Sequence, residues 1–177
     1  MMAHIIAIAG GTGSGKSTLA YGLLDKFPEL IEIVHFDDYQ KLEPNVPIHQ
    51  GMRNWDHPDA IDFDQLIHDL SQLRNGNDVQ IMTKDKKLNP GYEISGRIRT
   101  FRIIHSKKII ILESYLALWN ESVRKLIDYS IFLDTPTRYT KAQRKKDSYL
   151  SHKAFRVPVI KTCHTFHIHS DMEYSEQ

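Results

Sequence analysis

Residues 10–17 read Gly10-Gly11-Thr12-Gly13-Ser14-Gly15-Lys16-Ser17, which satisfies the pattern G-x-x-x-x-G-K-[ST] at every position. Nothing else in the chain narrows its folds as far. Glycines at this density let successive backbone N–H groups turn inward, in conformations that side chains would block, and so build a concavity for anions. The flanks agree. Residues 4–9 are a continuous apolar run rich in isoleucine, as expected of a strand covered on both faces. Residues 16–27 carry Leu19, Ala20, Leu23, Leu24 and Phe27 at helical spacing, and Pro28 closes the helix. A strand, a glycine loop and a helix in that order put the positive end of the helix beneath bound phosphates. Lys16 adds a full charge for the β- and γ-phosphates, and the Ser17 hydroxyl is placed to ligate Mg²⁺. Gly10, Gly11, Thr12, Gly13, Ser14, Gly15, Lys16, Ser17 and Thr18 are therefore expected to bind ATP or a related nucleoside triphosphate.

The rest of the chain alternates strands and helices. Residues 31–36 read as a second strand ending in Asp37-Asp38-Tyr39, and residues 41–59, with Pro44, Pro47, Gly51 and Pro58, as an irregular loop. A helix over 62–74 has Phe63, Leu66, Ile67, Leu70 and Leu73 on one face. Segments 79–84 and 98–105 suggest a hairpin-like insertion, 109–113 and 130–134 two further core strands, 121–128 a short helix and 137–149 a basic helix. This alternation predicts an α/β fold, a mostly parallel sheet with helices on both faces, in one domain spanning residues 1–177. Residues 151–177 receive no element; the spacing of Cys163, His164, His167 and His169 matches no closed zinc pattern.

In such a sheet the loops after the strand C-terminal ends converge on the ligand. Asp37 follows the second strand and Glu113 ends the third core strand, so both should meet Lys16 around one γ-phosphate. Phosphoryl transfer to a hydroxyl needs a carboxylate to take the proton and oxygen ligands for Mg²⁺, hence Ser17, Asp37 and Glu113 as the metal set. Asp38 reads as structural. The cluster 54–60 in the long loop offers Trp55 for stacking and Asp56 for gripping hydroxyls, while Asp62 reads as a helix cap.

With these residues assembled, the chain resembles the uridine kinase and phosphoribulokinase-like branch of P-loop small-molecule kinases. The resemblance rests on residues 10–18, His-Phe-Asp-Asp-Tyr at 35–39, and Asn-Trp-Asp-His-Pro-Asp-Ala-Ile-Asp at 54–62. Ile-Leu-Glu-Ser-Tyr-Leu-Ala-Leu at 111–118 and Ile-Phe-Leu-Asp-Thr-Pro at 131–136 extend it over residues 3–149. It implies an ATP-dependent, Mg²⁺-using kinase with Asp37 as base for a nucleoside hydroxyl and Asp56 on the ribose. The expected substrate-binding set is Asp37, Tyr39, Trp55, Asp56 and Arg97, and the resemblance adds a basic lid at 137–149. In that lid Lys141 and Arg144, three apart on one helix face, are the catalytic cations beside Lys16 and Asp37. Three features depart from the uridine kinase pattern: Gln40 where an aromatic is expected, the lysine-rich segment 82–97, and Lys146-Asp147 in place of Arg-Asp. The nicotinamide riboside kinases are similar in His35-x-Asp37-Asp38 and in Lys141-x-x-Arg144, which keeps a non-pyrimidine acceptor open.

A formal net charge of +1 offers no basis for a nucleic-acid or membrane partner. The single cysteine cannot form an internal disulfide, which fits the cytoplasm. A homo-oligomer stays open. The competing classes are a nucleotide-binding protein without catalysis and an NTPase switch; a carboxylate placed as base together with a lid favours the kinase.

Overall fold

The computed structural model describes residues 2–84, 98–134 and 160–163. Its centre is a five-stranded sheet in the order β2-β7-β1-β8-β9, built from β1 (His4–Gly10), β2 (Ile31–His35), β7 (Ile109–Ser114), β8 (Tyr129–Leu133) and β9 (Ile160–Cys163). The first four are parallel, and β9 runs antiparallel to β8. β9 was not anticipated. It lies in the stretch that the sequence pattern left without an element, because four residues carry too little periodicity to register.

Both sheet faces are covered, and the two-residue period of the strands assigns each side chain. Ile5, Ala7, Val34, Ile110 and Leu112 face one way, onto Leu66, Leu70 and Leu73 of α2 (Phe63–Arg74). Those three leucines are fully buried, each worth roughly 1.5–3 kcal/mol. Ile8, Ile33, Ile111 and Leu133 face the other way, onto Ala20 and the partly buried Leu23 and Leu24 of α1 (Lys16–Lys26). Asp62 caps α2, accepting from the Gln65 N–H at 3.0 Å, and Asn120 caps the short α3 (Glu121–Leu126) in the same way.

Two smaller sheets stand outside this layer. β5 (Val79–Thr83) and β6 (Thr100–Ile104) pair antiparallel, with Val79 opposite Ile104. The loop expected to be irregular over 41–59 contains two-residue strands, β3 (Ile48–His49) and β4 (Met52–Arg53), joined through Gln50 and Gly51 at positive φ. Short 3-10 turns flank that ladder at Glu43–Asn45 and Pro58–Ala60.

The order of the strands sets where a ligand can enter. From β1 the chain crosses by α1, on one face, to β2; from β7 it crosses by α3, on the other face, to β8. Connections that leave neighbouring strands toward opposite faces open a crevice at their C-terminal ends. Gly10 and Ser114 end the two strands that flank it.

Candidate active site

The loop after β1 has the backbone its glycines permit. Gly10 has φ +149°, and a Cβ there would sit 2.7 Å from the Leu133 carbonyl oxygen and 2.8 Å from Ser14 Oγ. Gly15 caps α1 in the left-handed region at φ +94°. Lys16 is buried, with its Nζ donating to the Gly11 carbonyl at 2.9 Å across the loop. Burial pushes the Lys16 ammonium down, and the charges of Glu113 and Asp37 work against that. Its field is therefore directed into the loop, where phosphate oxygens would replace the carbonyl.

The crevice beside this loop has a volume of about 340 Å³, and its walls include Lys16, Ser17, Asp37, Asp56 and Glu113. β7 presents Glu113 in register with Ile8 of β1 and His35 of β2, so the carboxylate lies on the α1 face. Its Oε1 accepts from Ser17 Oγ at 3.0 Å, and its Oε2 lies 3.3 Å from His35 Nδ1. His35 Nε2 in turn meets the Tyr21 hydroxyl at 3.1 Å. Burial pushes the Glu113 carboxyl up, but hydrogen bonds from His35 and Ser17 and the charges of His35 and Lys16 outweigh it and hold it below its usual range. The result is an ionised carboxylate next to a hydroxyl, an all-oxygen pair suited to a hard divalent cation. Among the described residues no cluster of three or more acidic, histidine or cysteine side chains could cage a metal by itself.

Asp37 and Asp38 sit on the 3-10 turn Phe36–Tyr39 after β2 and have opposite surroundings. Asp37 is exposed in the crevice, and its carboxylate has no hydrogen-bond or ion-pair partner among the described residues. Asp38 is buried, and its Oδ1 accepts from Thr83 Oγ1 at 3.0 Å and from the Lys84 N–H at 3.1 Å, tying the turn to the β5–β6 hairpin. Arg99 completes this attachment, donating to the backbone carbonyls of Asp38 at 3.0 Å and Gln40 at 2.6 Å.

The remaining residues named from sequence divide. Asp56 lines the crevice, its N–H held by Asn54 Oδ1 at 3.1 Å. Trp55 reaches the crevice wall through its carbonyl, which accepts from the Tyr115 hydroxyl at 2.9 Å; its ring is not part of the lining. Tyr39 does not meet the crevice. It is buried on the far side of the turn, donating its hydroxyl to Asp69 Oδ2 at 3.0 Å, because a 3-10 turn rotates successive residues onto different sides. Arg97, Lys141 and Arg144 lie outside the described residues. Sequence reasoning did not assign His35, Tyr21, Gln40 or Tyr115 to the site. His35 had a signal, since it stands two residues before Asp37 at the end of the same strand.

Residues 5–146 match the Phosphoribulokinase / Uridine kinase family. The chain belongs to that family. Among its relatives, a uridine kinase of Chlamydia pneumoniae is 35% identical over 137 residues, 76% of this chain and 59% of that protein. A uridine kinase of Lactobacillus helveticus is 37% identical over 136 residues, 74% of this chain and 61% of the relative. The chain thus spans about three fifths of the length of these curated relatives. Two solved structures share the fold. One is a possible uridine kinase from Bacillus stearothermophilus, with TM-score 0.61 and 21% identity, covering 84% of this chain and 81% of that one. The other is a putative fructose transport system kinase from Silicibacter sp. TM1040, with TM-score 0.62 and 20% identity, covering 85% and 76%. In this chain the glycine loop and its neighbouring acids stand at the C-terminal edge of the parallel strands.

Proposed function

We propose that this chain transfers the γ-phosphoryl group of ATP to a hydroxyl of a nucleoside-like small molecule, in the manner of a uridine kinase. The observation that carries the reading is a single crevice lined by Lys16, Ser17, Asp37, Asp56 and Glu113. These are the parts the reaction needs: a phosphate cradle, a cation site, a base and a grip on the acceptor.

The phosphates lie against the N–H groups of the glycine loop and the α1 N-terminus, and Lys16 releases Gly11 to bind their oxygens. Ser17, Asp37 and Glu113 would hold Mg²⁺, which would supply positive charge to neutralise the phosphate oxygens. His35 fixes the Glu113 carboxylate from behind, and Tyr21 fixes His35. Asp56 grips hydroxyls of the acceptor. Asp37, free of protein partners among the described residues, accepts the proton of the attacking hydroxyl as the new O–P bond forms. The bond from the γ-phosphorus to the β-phosphate bridging oxygen breaks, and ADP leaves. The assigned lid cations, Lys141 and Arg144, would complete the charge balance from the segment outside the described residues.

The same reading takes the chain as one kinase domain acting in the cytoplasm, supported by its balanced charge and single cysteine. No helix among the described residues is long and apolar enough to cross a membrane. The test is Mg²⁺-dependent ADP release from ATP with uridine, cytidine, adenosine, nicotinamide riboside, pantothenate and ribulose 5-phosphate, and Asp37→Asn as control. Stimulation by one acceptor, lost in the variant, is expected. Basal hydrolysis unaffected by every acceptor and by the substitution would reject transfer and leave a nucleotide-binding protein.

A further inference from the structure

Glu113, one of the residues assigned to the cation, has its two carboxylate oxygens committed to different partners. Oε1 accepts from Ser17 Oγ at 3.0 Å, and Oε2 lies 3.3 Å from His35 Nδ1. His35 is itself part of the crevice wall, and both side chains are largely buried. Long-range pairing builds the contact, because β2 and β7 set His35 and Glu113 in register on the same sheet face. One turn of α1 supplies the other two members, since Ser17 and Tyr21 stand four apart on one side of that helix.

The chemistry of the pair fixes where the hydrogen sits. The Glu113 carboxyl is held below its usual range, so it is ionised at neutral pH and can only accept. His35 Nδ1 therefore donates. The far side of the imidazole is held as well. Its Nε2 meets the Tyr21 hydroxyl at 3.1 Å, and the two rings pack with centroids 5.6 Å apart. A ring engaged at both nitrogens and packed against a second ring has little freedom to turn, so Oε2 stays committed to Nδ1.

That arrangement leaves Glu113 a single oxygen, Oε1 beside Ser17, for a cation. Hard divalent ions use carboxylates differently. Mg²⁺ is small, keeps several waters and demands near-ideal octahedral geometry, whereas Ca²⁺ takes more oxygens and readily spans both oxygens of one carboxylate. We propose that His35 is a positioning residue that makes Glu113 a one-oxygen ligand and so biases the cation site toward Mg²⁺ and against Ca²⁺. Without the imidazole, Glu113 would be free to turn and offer both oxygens. This role rests on the kinase reading for the cation site at Ser17 and Glu113, and not on transfer to any acceptor.

The experiment is equilibrium binding of a non-hydrolysable ATP analogue to the full chain by calorimetry, in saturating Mg²⁺, in saturating Ca²⁺ and in EDTA. The free analogue binds each ion equally whichever variant is present, so ratios between variants report the protein site alone. The parent should bind the Mg²⁺ form more tightly than the Ca²⁺ form. His35→Leu should weaken the Mg²⁺ form by roughly 10–100-fold, the usual cost of losing a group that orients a metal ligand. The Ca²⁺ form should hold or strengthen, and metal-free binding should stay as it was, because Lys16 and the loop are untouched. A merely structural role would weaken all three together. His35→Asn, whose amide N–H₂ can donate in place of Nδ1, should restore most of the Mg²⁺ preference. If His35→Leu does not fold, asparagine must keep the preference, and Tyr21→Phe, which releases the ring, must lower it. A parent without the preference, an equal loss in all three conditions, a preference unmoved in His35→Leu, or asparagine as poor as leucine overturns the inference. ADP release measured on the parent separates the two claims. Loss of the preference in the variant of a chain that turns nothing over rejects transfer alone, and turnover by the parent with the preference unmoved in the variant rejects the role of His35 alone.

Discussion

Replacing Asp37 with asparagine isolates chemistry from structure more cleanly than any other change in this chain. The Asp37 side chain is exposed in the crevice and has no hydrogen-bond or ion-pair partner among the described residues, so nothing that holds the fold is removed. Substitutions at such positions stay within about 0.5 kcal/mol, which for a domain of this size is a Tm shift of no more than roughly 2 °C. Loss of a general base costs about 10²–10⁴ in rate, or about 2.7–5.4 kcal/mol of barrier at ~1.36 kcal/mol per decade. ATP should still bind, since Lys16 and the loop are intact. The neighbouring Asp38→Ala variant is the mirror control. It takes the acceptor away from the Lys84 N–H and unties the turn from the hairpin, which costs about 1–3 kcal/mol for the stranded donor. Coupled ADP release, nucleotide titration and thermal melts on the two variants decide the matter. Turnover within about threefold of the parent for Asp37→Asn would end its assignment as base, because no weaker acid–base role predicts so small a loss.

Three further outcomes follow from the same geometry. Lys16→Ala removes the charge-assisted contact to phosphate and should weaken ATP binding by roughly 10–150-fold; unchanged affinity in a nucleotide titration would mean the loop is not used as described. Gly10→Ala drives a Cβ into the Leu133 carbonyl at a left-handed φ and should cost about 2–4 kcal/mol in urea unfolding, whereas Gly11, with open space around it, should accept alanine for less than about 1 kcal/mol. Equal costs at the two glycines would refute the close approach of β1 to β8. Asp38 supplies a pH signature: burial pushes its carboxyl above the usual 3.8, outweighing its hydrogen bonds to Lys84 and Thr83. The native state then binds the proton more tightly than the unfolded chain, so this contribution is fully present below pH 3.8 and is lost as pH rises through the raised value. The stability difference between the parent and Asp38→Asn should therefore fall with rising pH; a difference that is constant or rises would remove the burial argument.

The glycine loop between β1 and α1, the four parallel strands and the helical faces were legible from residues alone, because each is a local pattern whose period or glycine content has one physical reading. Ile5 and Ile8 already belong to different faces by strand alternation, and Leu66, Leu70 and Leu73 to one face of a helix. Asp37, Asp56 and Glu113 could be placed at one crevice because strand ends converge in a parallel sheet. What the pattern could not contain is whatever depends on which strands become neighbours and how a turn rotates. His35 reaches Glu113 only because β2 pairs with β7 in one register, and Lys84 reaches Gln40 only because the hairpin is bolted to the Phe36–Tyr39 turn. That turn also sends Asp37 into the crevice and Asp38 and Tyr39 away from it; the sequence separated Asp38 from Asp37 but placed Tyr39 with the substrate. β9 joins the sheet on the strength of pairing with β8, a contact between distant segments that four residues cannot announce. Local sequence determines which surfaces exist; long-range pairing decides which side chains share them.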